Sequence, residues 1–448
     1  MKNQVLLTAG LLAGSALSYG QEKPNIVIIY SDDMGVGDVS YLNSKWVSTP
    51  NIDRLAAEGR VMTHYYTASP VSSPSRVSLT TGMFPSQWGI NTFLHEREKN
   101  RKHEQFDYLD PDAPSMARSL KAAGYRTAHI GKWHMGGGRD VDDAPQIPRY
   151  GFDEYVSTWE SPDPDKLITS SNWIWSETDS IKRWERTHYF VDRALDFLRR
   201  NSGEACFVNL WPDDMHDPWI PSAKYYEKRW WQTREAFTQV LETYDRELGR
   251  FFDGLKELGI WENTIVIFTA DNGPAPSYNQ LRTNGLRGQK ISLYEGGLNM
   301  PFIISWPGHI EPSIDNTTVV SSVDIYPSLC KIVGAECPDT SLLSGEDMSE
   351  ALLGQCNKSR TKDLMWDYGR SPVFNQPAKE RNRSPHLAIR RGDFKLLVNA
   401  DGSRLELYNI VNDPYELENI ADKHHELCQE LSAKVIDWFN TKLRRRLK

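Results

Sequence analysis

Two pairs of oxygen-bearing side chains follow apolar runs and could hold a metal ion. Asp32-Asp33 comes directly after the run 25–30, and Asp271-Asn272 comes directly after another such run. Adjacent carboxylates repel each other, so a buried strand end would not hold both without a cation. Oxygen donors, with no cysteine or histidine among them, favour one Ca²⁺, or less readily Mg²⁺, over zinc. A surface turn built on the aspartates is the simpler alternative.

The stretch from Ser72 to Gly82 combines a hydroxyl residue with a helix start. Pro74 suits the first turn of a helix, and Ser75 is a candidate cap for the free N–H groups there. The N-terminus of a helix favours an anion, so Ser72 is well placed as a nucleophile beside a sulfate or another oxyanion. Arg76 is a candidate buried cation. The same pattern is compatible with a capped helix and nothing more.

Basic side chains also follow strand-like runs. Lys132 and His134 are two positions apart after the run 126–130, and they can point into one site if the backbone stays extended. His216 follows a further buried run, and Lys290 lies C-terminal to the second oxygen-rich pair. Lysine and histidine are commonly solvated surface residues, so these residues are candidates for a site only because they follow predicted strands.

The runs that carry these residues are continuous and apolar, which is typical of strands buried on both faces of a sheet. The predicted strands are 25–30, 126–130, 205–211, 263–269 and 302–306, and the predicted helices are 49–59, 115–123, 237–258 and 321–333. Beyond Gly345, shorter alternating pieces joined by Gly-Asp and Asp-Gly turns predict a small antiparallel sheet and a final helix. We therefore predict an α/β domain at 21–365 and a smaller subdomain at 366–448.

Composition and charge exclude several classes of protein. The chain has 448 residues, 39% hydrophobic and 25% charged, which excludes disordered and fibrous proteins. A formal net charge of −8 argues against nucleic acid as the main partner. Residues 1–20 have a basic start, an apolar run too short to span a bilayer and a small-x-small ending. They predict a signal peptide and export to the periplasm or the medium, without a membrane anchor. The five cysteines include no Cys-x-x-Cys pair, so a zinc ribbon is not indicated.

The order of these motifs resembles that of the type I sulfatases across nearly the whole mature chain. The matching residues are Ser72-Ser73-Pro74-Ser75-Arg76 with Leu79-Thr80-Thr81-Gly82, Gly131-Lys132-Trp133-His134, His216, Asp32-Asp33, Asp271-Asn272 and Lys290. Ser72 stands where the family oxidises a cysteine or serine to formylglycine. The resemblance implies the alkaline-phosphatase-like α/β fold, with a large mixed sheet flanked by helices and a smaller C-terminal antiparallel sheet and helix.

The resemblance also implies sulfuric ester hydrolysis and a role for each motif. Oxidised Ser72, a further ligand of the Ca²⁺, attacks sulfur with help from Arg76, and His216 protonates the leaving oxygen. His134 then removes a proton from the hydrate, which releases inorganic sulfate. The residues that bind the sulfate are Lys132 and Lys290. A serine-oxidising maturation enzyme, acting before folding, is the implied partner.

Aromatic and basic residues indicate a sulfated glycan as the substrate. Trp159 belongs to a tryptophan-rich stretch at 157–184 and is a candidate to stack on a sugar ring. Arg381, Arg383 and His386 are candidates to bind carboxylates or further sulfates of a polyanion. The whole basic run comprises Lys379, Arg381, Arg383, His386, Arg390 and Arg391. We predict a glycosaminoglycan such as chondroitin sulfate, or an algal polysaccharide.

Two alternatives remain open at the level of sequence. A phosphatase or phosphodiesterase of the same superfold would use an unmodified hydroxyl, but such sites hold two metals with several histidine ligands. A catalytically silent sulfated-glycan binding protein would result if Ser72 is never oxidised, or if it replaces a native cysteine.

Overall fold

The computed structural model of the chain describes residues 23–169, 176–229, 232–339, 341–371 and 373–446. The predicted signal peptide at 1–20 lies outside the described residues, and so do Trp173 and Trp175 of the tryptophan-rich stretch. Within the described part of the chain, no helix is both long and apolar enough to cross a bilayer.

Fourteen strands and eleven α-helices alternate along the described chain. The strands are β1 (Asn25–Ser31), β2 (Arg60–Met62), β3 (Tyr65–Tyr66), β4 (Arg126–Gly131), β5 (Glu154–Ser157), β6 (Cys206–Trp211), β7 (Thr264–Ala270), β8 (Phe302–Ser305), β9 (Ser313–Asp315), β10 (Val320–Ser321), β11 (Leu364–Asp367), β12 (Leu387–Arg391), β13 (Phe394–Val398) and β14 (Glu406–Asn409). The helices are α1 (Pro50–Ala57), α2 (Ser72–Thr81), α3 (Arg97–Lys102), α4 (Met116–Ala122), α5 (Arg186–Arg200), α6 (Ala223–Glu227), α7 (Arg234–Glu257), α8 (Glu295–Leu298), α9 (Ser322–Val333), α10 (Ser349–Leu352) and α11 (His425–Arg446).

A mixed sheet of eight strands forms the centre of the protein, in the order β5-β4-β6-β1-β7-β8-β2-β9. The five strands from β5 to β7 in this order are parallel, whereas β8 runs antiparallel to both β7 and β2. Every residue of β1 is buried, as its continuous apolar run predicts for a central strand. This arrangement confirms the predicted α/β fold.

Two groups of helices cover this sheet. Helices α1, α5 and α7 pack on one another, and α2, α4, α9 and α10 form the other group. The predicted helix at 237–258 corresponds to α7, which begins three residues earlier with Thr233 as its cap. Thr233 accepts a hydrogen bond from the backbone N–H of Ala236, so a capping signal ahead of the apolar periodicity sets the true start.

The smaller C-terminal sheet is an antiparallel meander in the order β11-β12-β13-β14, with α11 packed on β12 and β13. Strand β11 pairs with β12 through Leu364 to Asp367, so the predicted boundary between 365 and 366 falls inside a strand of this sheet. The other face of the sheet packs on the chain that leads into α2. There the indole N–H of Trp366 donates to the carbonyl of Thr67.

A buried ion cluster fastens this sheet to the main domain. The Lys395 ammonium lies 2.9 Å from a carboxylate oxygen of Glu295 and 3.0 Å from one of Glu416, and its side chain has no exposed area. Glu416 also accepts a hydrogen bond from the backbone N–H of Glu295. Burial and then the neighbouring Glu295 raise the pKa of Glu416 to about 7, although Lys395 opposes the rise. The lysine therefore balances two buried carboxyl groups.

Replacing this lysine is expected to weaken the fold strongly. Lys395→Met removes the cation that both buried carboxyl groups contact and leaves Glu416 without it, which costs about 3–5 kcal/mol of unfolding free energy. Urea unfolding followed by circular dichroism measures the loss. Lys423→Met is the matched control, because Lys423 pairs with Glu418 on the exposed surface and such pairs contribute about 0–1 kcal/mol. Equal losses in the two variants would contradict the role of the buried cluster.

Candidate active site

The carboxyl ends of four parallel strands converge at one edge of the large sheet. Asp32 and Asp33 follow β1, Lys132 and His134 follow β4, His216 follows β6, and Asp271 and Asn272 follow β7. Ligand sites of open α/β sheets lie at this edge. The structure therefore brings together, at one edge of the sheet, the candidate site residues that the sequence places at strand ends.

Helix α2 delivers Ser72 to the same place. The helix begins at Ser72 itself, with Val71 in extended conformation as its N-cap, and Gly82 ends it with a φ of 67°. Ser75 is therefore not the cap. It lies inside the first turn, where its hydroxyl donates to the carbonyl of Ser69. Pro74 falls in that first turn, as expected from its fixed φ.

The Ser72 hydroxyl lies against the oxygen-rich cluster. Its Oγ is 3.1 Å from Asp32 Oδ1 and 3.1 Å from Asn272 Oδ1. The amide of Asn272 donates to Asp33 Oδ1 over 2.7 Å, and the backbone N–H of Asp33 donates to Asp271 Oδ1. All four predicted metal ligands from the strand ends therefore surround the side chain that the resemblance marks for oxidation.

Three carboxylates in this cluster are fully buried and close enough to share one ion. Oxygens of Asp32, Asp33 and Asp271 lie within 4.8 Å of one another. Burial and then repulsion by Asp32 raise the pKa of Asp271 to about 7. This repulsion is the signature of a site that needs a cation, and the donors are all oxygens. The residues present therefore fit one hard ion of the Ca²⁺ type.

Arg76 is buried beneath the cluster, as predicted. Its Nη2 lies 2.6 Å from Asp271 Oδ2 and 3.6 Å from Asp32 Oδ1. Its guanidinium also lies over the ring of Trp211, 5.2 Å from the centroid, and donates to the carbonyl of Lys132. Arginine keeps its charge at such depth because its partners are anionic and aromatic.

Two lysines flank the cluster from opposite sides. Lys132 Nζ lies 2.8 Å from Asp32 Oδ2, and Lys290 Nζ lies 2.6 Å from Asp33 Oδ2. Burial alone would raise the pKa of Asp32, but Lys132, His216 and the other cations hold it well below its usual range. Both lysines line the cavity above Ser72, so they face the space into which an anion would enter.

The two histidines have different surroundings. His216 Nδ1 lies 2.6 Å from the carbonyl oxygen of Asp217 and donates to it, while its Nε2 lies 3.2 Å from Lys290 Nζ. His134 has a φ of 50° and lies with Nε2 3.3 Å from Glu160 Oε1. Burial, followed by the charges of Lys132 and Arg139, holds the pKa of His134 well below its usual range. This direction favours the neutral imidazole at His134.

A cavity of about 670 Å³ opens above Ser72. It is lined by Ser72, Phe93, His95, Lys132, His134, Arg139, Trp159, Glu160, His216, Asp217, Ala275, Pro276, Lys290, Ile291 and Asn375. The sequence predicts Trp159 as a substrate contact, whereas it does not point to Arg139 or Glu160. The only signal for them is the run of three glycines before Arg139, which indicates a close approach of backbones but does not say to what.

The basic run of the C-terminal subdomain lies outside the described lining of the cavity. Among the described residues that line the cavity, none of Arg381, Arg383 and His386 occurs; Arg383 pairs with Glu380 at the surface. Contact of these three with a substrate stays a prediction. Arg390 belongs to the scaffold instead, because it is buried and binds the Tyr66 hydroxyl. Counting Arg390 in a glycan-binding run was wrong, since spacing along a strand does not show which side chains turn inward. Arg391 pairs with Asp363 but keeps 36% of its side chain exposed, so its contact with a glycan stays a prediction.

Fold and site together define a hydrolase of the alkaline-phosphatase-like class. A family model described as sulfatase matches residues 24–335, and a second, described as N-sulphoglucosamine sulphohydrolase, C-terminal, matches residues 288–441. The chain belongs to the sulfatase family and is a sulfuric ester hydrolase. This membership favours the sulfatase over the phosphatase alternative.

Named relatives and solved structures show how similar the chain is to other proteins. The chain is 28% identical to an N-acetylgalactosamine-6-O-sulfatase of Bacteroides thetaiotaomicron, with 92% of each chain covered. It is 30% identical to the N-acetylgalactosamine-6-sulfatase of Mus musculus, over 78% of this chain and 69% of the relative. A structure from work on the metabolism of glycosaminoglycans by Bacteroides thetaiotaomicron superposes with a TM-score of 0.74 at 26% identity, covering 94% of this chain and all of that one.

Proposed function

We propose that the protein removes O-sulfate from a sulfated glycan by means of a formylglycine formed at Ser72 and one Ca²⁺. The observation that carries the proposal is the position of the Ser72 hydroxyl, 3.1 Å from both Asp32 and Asn272. It lies beneath a cavity whose walls hold Lys132 and Lys290.

Asp32, Asp33, Asp271, Asn272 and the modified Ser72 would hold the ion. When present, the ion and the aldehyde hydrate of residue 72 supply an activated oxygen nucleophile for attack on sulfur. Lys132 and Lys290 would bind the sulfate oxygens and balance their charge as the ester bond breaks. Arg76, fixed between Asp271 and Asp32, would keep the nucleophile anionic.

The two histidines would move protons at different steps. Because Nδ1 of His216 donates to the carbonyl of Asp217, the ring orientation is fixed, with Nε2 beside Lys290, and both residues line the cavity. From there a protonated Nε2 can donate its proton to the leaving sugar oxygen. His134, kept neutral by its buried surroundings, would take a proton from the hydrate and so restore the aldehyde with loss of inorganic sulfate.

A glycosaminoglycan such as chondroitin sulfate is the substrate class that we favour, with an algal polysaccharide as the second. The relatives named for N-acetylgalactosamine 6-sulfate support this choice, and so does a cavity with Phe93 and Trp159 in its wall. Aromatic faces of this kind suit sugar rings. We further propose that the chain is exported and that a serine-oxidising enzyme acts on it before it folds.

Mass spectrometry of the peptide containing Ser72 tests the modification. Formylglycine is lighter than serine by about two hydrogen atoms, a difference fixed by the oxidation of a hydroxymethyl group to an aldehyde. The same native material is then given a panel of defined sulfated sugars, and free sulfate is measured. Modified residue 72 with sulfate release supports the proposal. An unmodified serine that binds these sugars without releasing sulfate would replace it with the binding-protein alternative.

The acid role of His216 predicts a difference between two kinds of ester. His216→Ala is expected to lower kcat/KM on a sugar sulfate on the order of 10²-fold, because an alkoxide leaving group needs a proton. The loss on 4-nitrophenyl sulfate, whose leaving group is stable as an anion, should stay below about tenfold. His309→Ala serves as the control, since His309 stacks on Trp306 away from the cavity. Equal losses on both esters would remove His216 from this role.

A further inference from the structure

The loop before Arg139 has a backbone that glycine accepts far more readily than other residues. The glycines at 136–138 have φ values of 135°, 91° and 76°, and Arg139 follows with a φ of 54°. A Cβ on Gly137 would lie 2.3 Å from the backbone nitrogen of Pro162, so this loop rests directly on the segment 159–162. The three glycines adopt positive φ without strain, whereas Arg139 pays a cost for it, and such a conformation persists only where the surrounding structure holds it. Here it holds a cationic side chain in the wall of the active-site cavity.

Arg139 reaches the same carboxylate as the sulfate-binding lysine. Its Nη2 lies 3.0 Å from Glu160 Oε1, and Lys132 Nζ lies 3.9 Å from Glu160 Oε2. The guanidinium and the ammonium thus lie on opposite oxygens of one side chain. The backbone fixes this arrangement, because the N–H of His134 donates to the carbonyl of Glu160 over 2.9 Å.

Glu160 has other partners besides Arg139. Its nearly buried carboxylate has the ammonium of Lys132 at 3.9 Å and Nε2 of the neutral His134 at 3.3 Å. Breaking a buried ion pair is costly chiefly when one charge is left alone. Since Glu160 keeps these other partners, Arg139 can turn its remaining N–H donors to a ligand in the cavity without stranding the carboxylate. Its side chain is 18% exposed, which leaves it accessible from that side.

Arg139 and Lys99 bring two cationic side chains close to His95 in the neighbouring wall of the cavity. Burial and then the charges of Arg139 and Lys99 lower the pKa of His95 to about 4. The Lys99 ammonium lies 5.7 Å from the ring centroid of Phe93, which lines the cavity. A positive field next to a sulfate-binding site, between the aromatic residues Phe93 and Trp159, suits a sugar that carries more than one anionic group.

We propose that Arg139 binds a second anionic group of the substrate, a carboxylate or a further sulfate, on the sugar ring that is desulfated or on the ring next to it. The inference rests on the proposed function, whose substrate class it narrows. A guanidinium presents parallel N–H donors that match both kinds of oxyanion. Lys132 and Lys290 bind the sulfate that is cleaved, and Arg139 binds the anionic group that stays on the sugar.

The test uses three probes that share one sulfate ester cleaved by the wild-type enzyme. For N-acetylgalactosamine they are the 6-sulfate, the 4,6-disulfate and the unsaturated chondroitin 6-sulfate disaccharide, which adds a carboxylate on the next ring. The quantity measured is the ratio of kcat/KM on each two-anion probe to kcat/KM on the one-anion probe. Because this ratio is taken within one variant, differences in folded fraction cancel.

Arg139→Gln is expected to lower this ratio about 10- to 100-fold for the probe whose second anion it contacts, mainly through KM, as loss of a charge-assisted hydrogen-bond pair predicts. The two-anion probe that shows the loss identifies the source as sulfate or carboxylate. Arg126→Gln is the matched control: it removes the same charge from the start of β4, where the side chain donates to Asn201, and should keep the wild-type ratio. If Arg139→Gln is insoluble, Arg139→Lys is used instead. This variant keeps the positive charge but loses the paired N–H donors of the guanidinium, so it should lower the ratio by a smaller factor.

An unchanged ratio in the Arg139 variants for both two-anion probes would overturn the inference and leave the proposed function standing. A similar fall in Arg126→Gln would also overturn it, since the effect would then come from overall charge. Wild-type enzyme with modified Ser72 that releases sulfate from no sugar in the panel would overturn the proposed function, and the inference with it.

Discussion

Replacing Ser72 by alanine is expected to lower kcat/KM on sulfate esters by about 10⁴-fold or more, as removal of a covalent nucleophile does in other hydrolases. Alanine has no oxygen to oxidise, so neither the nucleophile nor one ligand of the ion can form. The fold should be largely unaffected, because within the described part of the chain the hydrogen bonds of the Ser72 hydroxyl go to Asp32 and Asn272 in the polar cluster. Sulfate release under saturating Ca²⁺, together with thermal unfolding, measures both effects.

Ser78→Ala provides the matched control for this prediction. Ser78 lies on the same helix, but its hydroxyl donates to the carbonyl of Ser75 and contacts Ser322, on the side away from the cluster. Its loss should lower the melting temperature slightly and leave kcat/KM near that of the wild type. Turnover of Ser72→Ala within tenfold of the wild type would mean that residue 72 is not the nucleophile, and the proposed chemistry would have to be abandoned.

Asp271→Asn is expected to lower turnover by about 10³-fold or more, equivalent to about 4 kcal/mol of transition-state stabilisation. The substitution keeps the shape and one oxygen but removes a charge from the three-carboxylate cluster. Fewer carboxylate ligands mean weaker binding of a hard cation. Thermal unfolding provides a second measurement that does not require activity. Ca²⁺ at about 100 times its dissociation constant should stabilise the wild type by about 2.7 kcal/mol, which is seen as a rise in Tm. This rise should shrink or vanish in the variant.

Asp245→Asn separates the loss of an ion from the loss of a buried carboxylate. The Asp245 side chain accepts hydrogen bonds from the backbone N–H groups of Asn51 and Ile52 at the start of α1. Its substitution should lower Tm because a helix N-terminus loses an anion, yet Ca²⁺ should still raise Tm as in the wild type. Full turnover of Asp271→Asn after exhaustive chelation would contradict the assignment of Asp271 to the metal site.

Most of the catalytic centre could be predicted from the sequence because it follows from one regularity. Each buried apolar run is a strand of a parallel sheet, and polar residues placed directly after it must emerge at the carboxyl edge. Asp32, Lys132 and Asp271 therefore meet although they are far apart in the chain. The family resemblance adds the role of Ser72 but was not needed to expect that these strand ends converge.

The start of α2 shows where local propensity falls short. Serine followed by proline and serine predicts a helix with a polar cap, and the helix is present. Its first residue is nevertheless Ser72, with the apolar Val71 as N-cap, because Val71 packs in the hydrophobic cluster shared with Trp366 and Leu397 of the small sheet. Tertiary packing, rather than a capping side chain, therefore fixes the point at which the chain enters the helix.

By itself the sequence determined five strands of the large sheet, the order of its motifs and the donors at its edge, since hydrophobic periodicity and strand-end position are local properties. Only the tertiary structure decided which basic residues line the cavity. Arg139 does so because three left-handed glycines press its loop onto the segment 159–162, whereas Arg390 turns inward to bind Tyr66. The direction of a side chain depends on what the backbone packs against, and a linear pattern of charges carries no information about that contact.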